Sequence, residues 1–448
     1  MKSIKVLLIT LIVCSFSFSV GEAGAIFLLI SPGAAAQGAG EANVARVDDA
    51  YSSYYNPASL AFQTKKSIAA MHVNWLQSLV PDLYYEYIGF SYPMGEVGGL
   101  GGHFIFLNLG EQLATDETGN ELGNFKSYMW ALDASYGTKL SNNSAIGLGF
   151  KLYHQKLADE VVAGESGSGK PNSTDFAFDI SYLLRKPSNS NFDKFRFGFN
   201  IANIGPPISF IDEDQADPAP TNMRLGFFAN LYENEFTRFN MMMDMQKLLV
   251  AKYPSMDWDG DRLIGDGPDG ISFMNSDGQN ENSYSDPWYK AWGTAWLDDW
   301  YYGGDRDIDG DKRIGGWVWQ DGSGADPTLN NQIESDELIP EESFDDGTIG
   351  RYSNWDGTTA HLEYGTGDQR KFSDELKEII LNTGFEFWYT ESFVLRFGYI
   401  YDQEGEIKNP TFGAGIRFEG YGFDFGYTAG EQGHPRSNSL FFSISADI

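Results

Sequence analysis

SLFFSISADI, residues 439–448, closes the chain. Read as a strand, Leu440, Phe442, Ile444, Ala446 and Ile448 fall on one side, and Ser443, Ser445 and Asp447 on the other, because successive strand side chains point to opposite faces. An oily face of this kind needs a neighbour, either a protein core or lipid. The alternation recurs upstream. In DFAFDISYLL, Phe176, Phe178, Ile180, Tyr182 and Leu184 oppose Asp175, Asp179 and Ser181. In FRFGFNIAN, Phe195, Phe197, Phe199 and Ile201 oppose Arg196, Gly198, Asn200 and Ala202, and YGFDFGYT sets Tyr421, Phe423, Phe425 and Tyr427 against Gly422, Asp424, Gly426 and Thr428. Such segments predict about fourteen strands of about ten residues each, the pattern of an outer-membrane barrel. They lie near 67–76, 84–93, 98–108, 126–139, 144–157, 174–185, 193–203, 223–232, 236–248, 378–389, 392–404, 410–418, 421–429 and 438–448.

A soluble β-sandwich alternates too, but three features favour the barrel. The connections alternate between short (PMGEV, SNN, ENE, TES, EG) and long (GEQLATDETGNELGNF, ADEVVAGESGSGKPNS, IGPPISFIDEDQADPAPT). Barrels sort their loops in this way, with short periplasmic turns and long surface loops. Tyr and Trp gather at strand ends of the oily face, at Trp75, Tyr84, Tyr92, Tyr128, Tyr136, Tyr389, Tyr421 and Tyr427, as an interfacial girdle does. Finally, backbone groups in lipid must all be paired, which a closed barrel achieves without helices. The fold class expected is therefore all-β, a transmembrane antiparallel β-barrel carrying an N-terminal plug and one large extracellular insertion, in the outer membrane of a Gram-negative-type bacterium.

Composition narrows the function. The formal net charge of −32 argues against nucleic-acid binding, which needs a basic surface. An aromatic content of 15% is too high for a disordered acidic chain. MKSIK followed by VLLITLIVCSFSFSV and the small residues Ala23, Gly24 and Ala25 reads as an export signal over 1–25. Its apolar run is shorter than the roughly 20 residues of a spanning helix. Cys14 is the only cysteine and lies inside that signal, so the exported chain is expected to have neither disulfide nor thiol chemistry.

The inward positions carry both charge signs: Asp133, Lys151, Asp175, Asp179, Arg196, Arg224, Arg238, Asp244, Glu386, Arg396, Arg417 and Asp424. They predict a salt-bridged interior that fills the barrel. Many other inward positions are glycine, among them Gly147, Gly198, Gly226, Gly384, Gly398, Gly413 and Gly426, which leaves room for something placed inside. The segment ahead of the first strand fits that role: IFLLISPGAAAQGAGEANVARVDDAYSSYYNPASLAF, 26–62, lacks strand alternation and is rich in Ala and Gly. Its Phe27, Leu28, Ile30 and Pro32, then Gly38, Gly40 and Ala42, then Asp49–Ala50 and Asn56–Pro57–Ala58, resemble the opening of the PorV/PorQ outer-membrane proteins, relatives of the FadL long-chain fatty-acid transporters. The resemblance implies a hatch, spanning 26–66, packed in the periplasmic mouth of a fourteen-stranded barrel. It gives Asp49, Ala50, Asn56, Pro57 and Ala58 as hatch-motif residues.

Residues 250–377 interrupt the pattern between barrel strands 1–9 (67–249) and 10–14 (378–448). Loop parity places them outside the cell. Eight of the eleven tryptophans and about half of the net negative charge fall here, which predicts a small core of its own or a binding surface. DWDGDRLIG and DIDGDKRIG repeat one pattern. Asp257, Asp259 and Asp261, like Asp307, Asp309 and Asp311, place carboxylates at positions one, three and five of a glycine-containing loop, the arrangement that wraps calcium. The twelfth position is Pro268 in one and Val318 in the other, leaving Asp266, Asp269 or Asp321 as substitutes for the usual glutamate. Affinity in the sub-millimolar to millimolar class follows.

No catalytic constellation stands out. GESGSGKP puts Pro171 where a phosphate loop needs Ser or Thr, and the five histidines are scattered. An enzyme is not expected. The resemblance implies a type IX secretion component that docks a translocon barrel and the C-terminal signal domains of cargo proteins. A FadL-like channel for fatty acids or other hydrophobic compounds is the alternative, with Gly98, Gly99, Gly101 and Gly102 weakening the wall to open a lateral gap. A surface adhesin that displays the insertion is a third reading.

Overall fold

Period-two alternation becomes strand at every segment that carries it. The computed structural model describes residues 23–75, 82–115, 121–158, 171–187, 194–210, 216–253, 256–257, 284–298, 305–306, 317–319, 338–340, 351–355, 360–363, 372–430 and 438–448. Fourteen strands form one closed antiparallel barrel in sequence order. They are β1 (Ser67–Asn74), β2 (Tyr84–Pro93), β3 (Gly99–Thr115), β4 (Glu121–Lys139), β5 (Ser144–Lys156), β6 (Asn172–Pro187) and β7 (Lys194–Ile204). The ring continues with β8 (Asn222–Glu233), β9 (Arg238–Leu248), β10 (Ile380–Thr390), β11 (Phe393–Asp402), β12 (Ile407–Phe418), β13 (Tyr421–Thr428) and β14 (Ser439–Asp447). Closure joins the two ends of the chain, from Ser67 opposite Asp447 to His72 opposite Phe442. No strand edge is then left for lipid to meet.

The largest departure from expectation is at β3 and β4. Their connection reads as a polar loop, yet the ladder continues through Glu111–Lys126, Gln112–Phe125 and Leu113–Asn124 after a bulge. Beyond the apolar band neither face has to be oily, so the alternation that marks a strand is lost while the pairing persists. The glycine-rich start of β3 is also fully paired, Gly99 with Pro93 and Gly137, and Gly101 with Ser91 and Ser135. No lateral gap opens there.

Burial is inverted relative to a soluble protein. Leu148 and Ile444 are 58% and 56% exposed, whereas Lys151 and Asp179 are 2% and 0% exposed. Phe90, Phe150, Phe178, Phe397 and Phe423 also face outward. Contiguous apolar surface on this scale requires lipid around it. Tyr92, Tyr389 and Tyr421 stand exposed at strand ends as the girdle requires. Trp75 differs: it packs against the inner cluster that contains Val73 and Tyr85. Among the described residues no helix is long and apolar enough to cross a membrane.

The chain divides into two compact units, Met1–Gln246 with Leu381–Ile448, and Lys247–Ile380. In the second, Lys252–Tyr253 pairs with Tyr284–Ser285, and Trp317–Trp319 with Leu338–Pro340. Its described core is Ala251, Tyr253, Ala291 and Ala295 beside the helix Trp288–Thr294. Trp288 remains 44% exposed, so this part of the core is built from small residues and a tyrosine, not from stacked indoles.

Leu148 lies near the middle of the apolar band. Leu148→Arg should cost about 2–4 kcal/mol of folding free energy in vesicles, read as a lower urea midpoint, while Leu148→Phe should be silent. Equal tolerance of both would mean that this face meets water.

Candidate functional site

The barrel interior is occupied by residues 23–62, and the exposed Thr64, Lys65 and Lys66 lead from them into β1. Short turns build this plug: Ile26–Leu29, α1 (Ala34–Gly38), α2 (Ser52–Tyr55) and Pro57–Phe62. Its small residues let its backbone lie directly on the wall. A Cβ added at Gly398 would sit 2.1 Å from the Gly40 nitrogen, and one at Gly384 2.2 Å from the Ala39 carbonyl oxygen. A Cβ at Gly147 would lie 2.2 Å from the Ala58 nitrogen, and one at Gly426 2.6 Å from the Ala34 carbonyl oxygen. Gly40 also needs to be glycine for its own conformation, with φ of +67°. The inward glycines are thus seats for the plug.

Polar side chains of the wall pair the plug's free backbone groups. Asp244 Oδ2 accepts from the Asn43 and Val44 amides at 2.6 and 2.9 Å. Thr411 Oγ1 accepts from Gly40 at 2.9 Å, and Ser181 Oγ from Ala58 at 2.9 Å. Asn200 donates to the Tyr55 carbonyl at 3.1 Å, and the Tyr85 and Tyr87 hydroxyls donate to the Ile30 and Ala50 carbonyls at 3.2 Å each. Tyr55 donates in turn to the Pro32 carbonyl at 2.7 Å. Burial first, and then the neighbouring Tyr54 and Glu41, push its phenol well above the usual range, so it keeps that proton.

The expected hatch-motif residues have distinct duties. Asn56 is buried and ties three elements together. Its Oδ1 accepts from the Ala58 amide at 3.2 Å, while Nδ2 donates to the carbonyls of Val44 and Tyr182, at 3.1 Å each. Pro57 opens the turn that follows, where its preset φ suits the position. Asp49 accepts from the Tyr51 amide at 2.9 Å, closing a turn just ahead of α2. Ala50 lies against Gly89, and its carbonyl oxygen would be 2.6 Å from a Cβ there.

The plug reaches further than the periplasmic mouth that the resemblance implies. Pro57–Phe62 sits at the end carrying the short turns, against Gly99 and Gly137. Phe27 and Leu28 join Val73, Leu107 and Ile208, at the end carrying the long loops. Gly24 donates to the Pro218 carbonyl at 3.0 Å. Ala23, Gly24 and Ala25, read as the end of the export signal, are therefore folded with the plug, and residues 1–22 lie outside the described residues.

A charged chain completes the interior. Glu386 accepts from Arg46 Nε and Arg396 Nε at 3.0 and 2.8 Å. Arg396 reaches Asp424 Oδ1 at 2.7 Å, and Arg417 NH2 reaches Asp424 Oδ2 at 2.8 Å. Burial acts to lower the Arg46 pKa, but Glu386, Asp49 and Asp48 outweigh it and raise it. Elsewhere Lys151 Nζ donates to both oxygens of Asp179 at 2.9 and 2.7 Å and to Asn203 at 2.8 Å. One grouping escaped the sequence, because its members are far apart in the chain. Ser53 Oγ lies 2.9 Å from His103 Nδ1, and Asp133 Oδ1 lies 3.5 Å from that same nitrogen. A relay needs acid and hydroxyl on opposite ring nitrogens, so this cluster is packing.

Of the expected calcium ligands, Asp259, Asp261, Asp307, Asp309 and Asp311 lie outside the described residues. Asp257 is described as backbone only: Met256–Asp257 pairs with Asp305–Arg306, Asp257 opposite Asp305. The second unit also gathers Asp298, Glu375 and Glu378, with oxygens within 4.8 Å of one another. Lys247 already places its ammonium there, 3.6 Å from Glu375 and bonded to Glu378.

The sequence profile of the family described as "Type IX secretion system protein PorV" matches residues 19–255, just over half of the chain. No curated relative matches. Among solved structures, the chain is similar to the Ralstonia pickettii toluene transporter TbuX, with 10% identity and a TM-score of 0.45 over 94% of this chain and 100% of that one. The Pseudomonas putida toluene transporter TodX aligns at 10% identity and TM-score 0.41, covering 93% of this chain and 96% of that one. A Pseudomonas aeruginosa FadL homologue gives 10% and 0.38, over 92% and 97%.

Gly398→Leu should dislodge the plug, read as new conductance in planar bilayers and protease cleavage within 23–66. Gly149→Ala, whose nearest atoms are side-chain oxygens at 3.0 and 3.2 Å, should stay closed. A Gly398→Leu barrel as tight as the parent would refute the seating.

Proposed function

Because this chain belongs to the PorV family of type IX secretion system proteins, we propose that it docks the secretion translocon and receives cargo proteins through their C-terminal signal domains. It is an outer-membrane transport component and not an enzyme. One observation carries the docking reading: the lumen is filled by a plug bonded to wall strands around the ring. A conduit for hydrophobic compounds needs an apolar route, whereas the described lumen presents Lys151, Asp179, Arg396 and Asp424. Work then falls to the loops and the outer wall, where non-covalent recognition requires no open path. The acidic segment 250–377 contributes recognition surface outside the cell.

Purification of the tagged chain from outer membranes tests this. Recovery of a large translocon barrel or of cargo C-terminal domains is the expected result. A bound lipid with neither protein would move the function to uptake of hydrophobic compounds.

Calcium binding by Asp257, Asp259 and Asp261 and by Asp307, Asp309 and Asp311 is part of the same proposal. It is supported by the repeated pattern and by the pairing of Asp257 with Asp305, which brings the heads of both loops onto neighbouring strands. Calcium at ten times its dissociation constant should stabilise the second unit by about 1.4 kcal/mol for each loop that binds. The measurement is calorimetry of the full chain with calcium or chelator. Asp259→Asn with Asp309→Asn should abolish the difference, and an unaltered transition in the parent chain would rule the site out.

A further inference from the structure

A cavity of about 120 Å³ opens at the short-turn end of the lumen, lined by Arg46, Asp48, Arg196, Arg238, Glu386 and Trp388 among others. Arg238 begins β9 directly after the turn 234–237, Trp388 stands two residues from the end of β10, and Arg196 is the third residue of β7. Three guanidinium groups therefore converge with two carboxylates. Arg46 is committed to Glu386, and also donates to Asn43 Oδ1 at 3.0 Å. Arg196 donates to the Arg46 carbonyl at 3.0 Å and to Asp48 Oδ2 at 3.2 and 3.3 Å. Arg238 is different. Among the described residues no carboxylate lies within salt-bridge distance of it, and its guanidinium carbon sits 5.1 Å from the centre of the Trp388 ring.

We propose that this cavity is an anion site for a carboxylate, supplied either by a free small acid or by the end of an extended chain. A guanidinium fork takes a carboxylate through two parallel hydrogen bonds. Arg238 offers that fork, and its position on the indole face gives it a fixed orientation. Asp48 marks the chemistry on the neighbouring fork. Its side chain is 57% exposed, and Arg196 is its one ion-pair partner among the described residues, so it acts as a displaceable internal stand-in for an incoming carboxylate. Size sets the scale of the ligand. The cavity is well below the roughly 300 Å³ at which sites for whole small molecules begin, and so suits an acid group on a short stem. The net charge of −32 repels free anions at a distance, so recognition depends on this local excess of guanidinium.

The test is calorimetry on the full chain in detergent at moderate ionic strength. The probes are succinate, acetyl-triglycine with a free carboxylate, its C-terminal amide, and inorganic phosphate. A carboxylate probe should bind and the amide should not. Arg238→Gln should weaken binding at least tenfold, with Arg238→Lys intermediate, and Asp48→Asn should tighten it severalfold by removing the competitor. Heat-modified gel mobility shows that each variant keeps its barrel. Binding of the peptide acid alone identifies a chain end, binding of succinate alone a free acid, and both together the shared chemistry. The proposal fails if neither carboxylate binds to the parent or to Asp48→Asn, if Arg238→Gln leaves binding unchanged, or if phosphate binds as tightly.

Discussion

The close approach of plug backbone to wall backbone is the constraint from which the interior follows. A ring of fourteen strands encloses more space than its inward side chains fill, and here main chain fills it, seated where Gly147, Gly384, Gly398 and Gly426 omit a side chain. Main chain brought away from water carries amides and carbonyls that must find partners. The wall supplies them from Asp244, Thr411, Ser181, Asn200 and Tyr87, so side chains far apart in sequence serve one short segment. A plug held by so many wall strands leaves as a unit or not at all.

Charge in the lumen follows the same logic. Removing carboxylates and guanidinium groups from water costs several kcal/mol per ion unless each finds partners. Glu386 therefore accepts from Arg46 of the plug and Arg396 of the wall, and Asp424 links Arg396 to Arg417. Arg46 is the plug's link to this chain, and rotation of the plug would break its pair with Glu386 while the wall pairs stayed in place. Arg238 stands outside the chain, with an aromatic ring in place of an acid.

The strands were legible because one face of each meets lipid and the other does not. Period two survives wherever that holds, from Ile68 in β1 to Ile444 in β14, and fails beyond the band, where Gln112 and Phe125 pair without any oily alternation. The inward glycines were legible as empty space, and the Ala/Gly segment as its occupant. What the sequence could not reveal was who bonds to whom. Asp244 looks like one more lumen charge until it is found on two plug amides two hundred positions earlier. Ser53, His103 and Asp133 meet across three elements with no spacing to announce it. Trp75 reads as a girdle residue because it follows an oily strand, yet it continues the inward face of Val73. Asn56 was legible as a hatch-motif residue, but its grip on Tyr182 was not.

A full lumen also shapes what a partner meets outside. The connection between β7 and β8 is long enough to wander, yet Ile208, Ala219 and Thr221 in it are buried. Ile208 bridges Asp217, Gly24 of the plug donates to Pro218, and Asn203 donates to the Pro220 carbonyl while accepting, through its own carbonyl, from Thr221. The described part of the loop is thus held by the plug and by the end of β7. Ordering a mobile side chain on binding costs about 0.5–1.5 kcal/mol, and a surface already ordered from within avoids that cost. The plug that fills the lumen therefore also orders this loop, so under the docking proposal a partner would meet a surface already set from within.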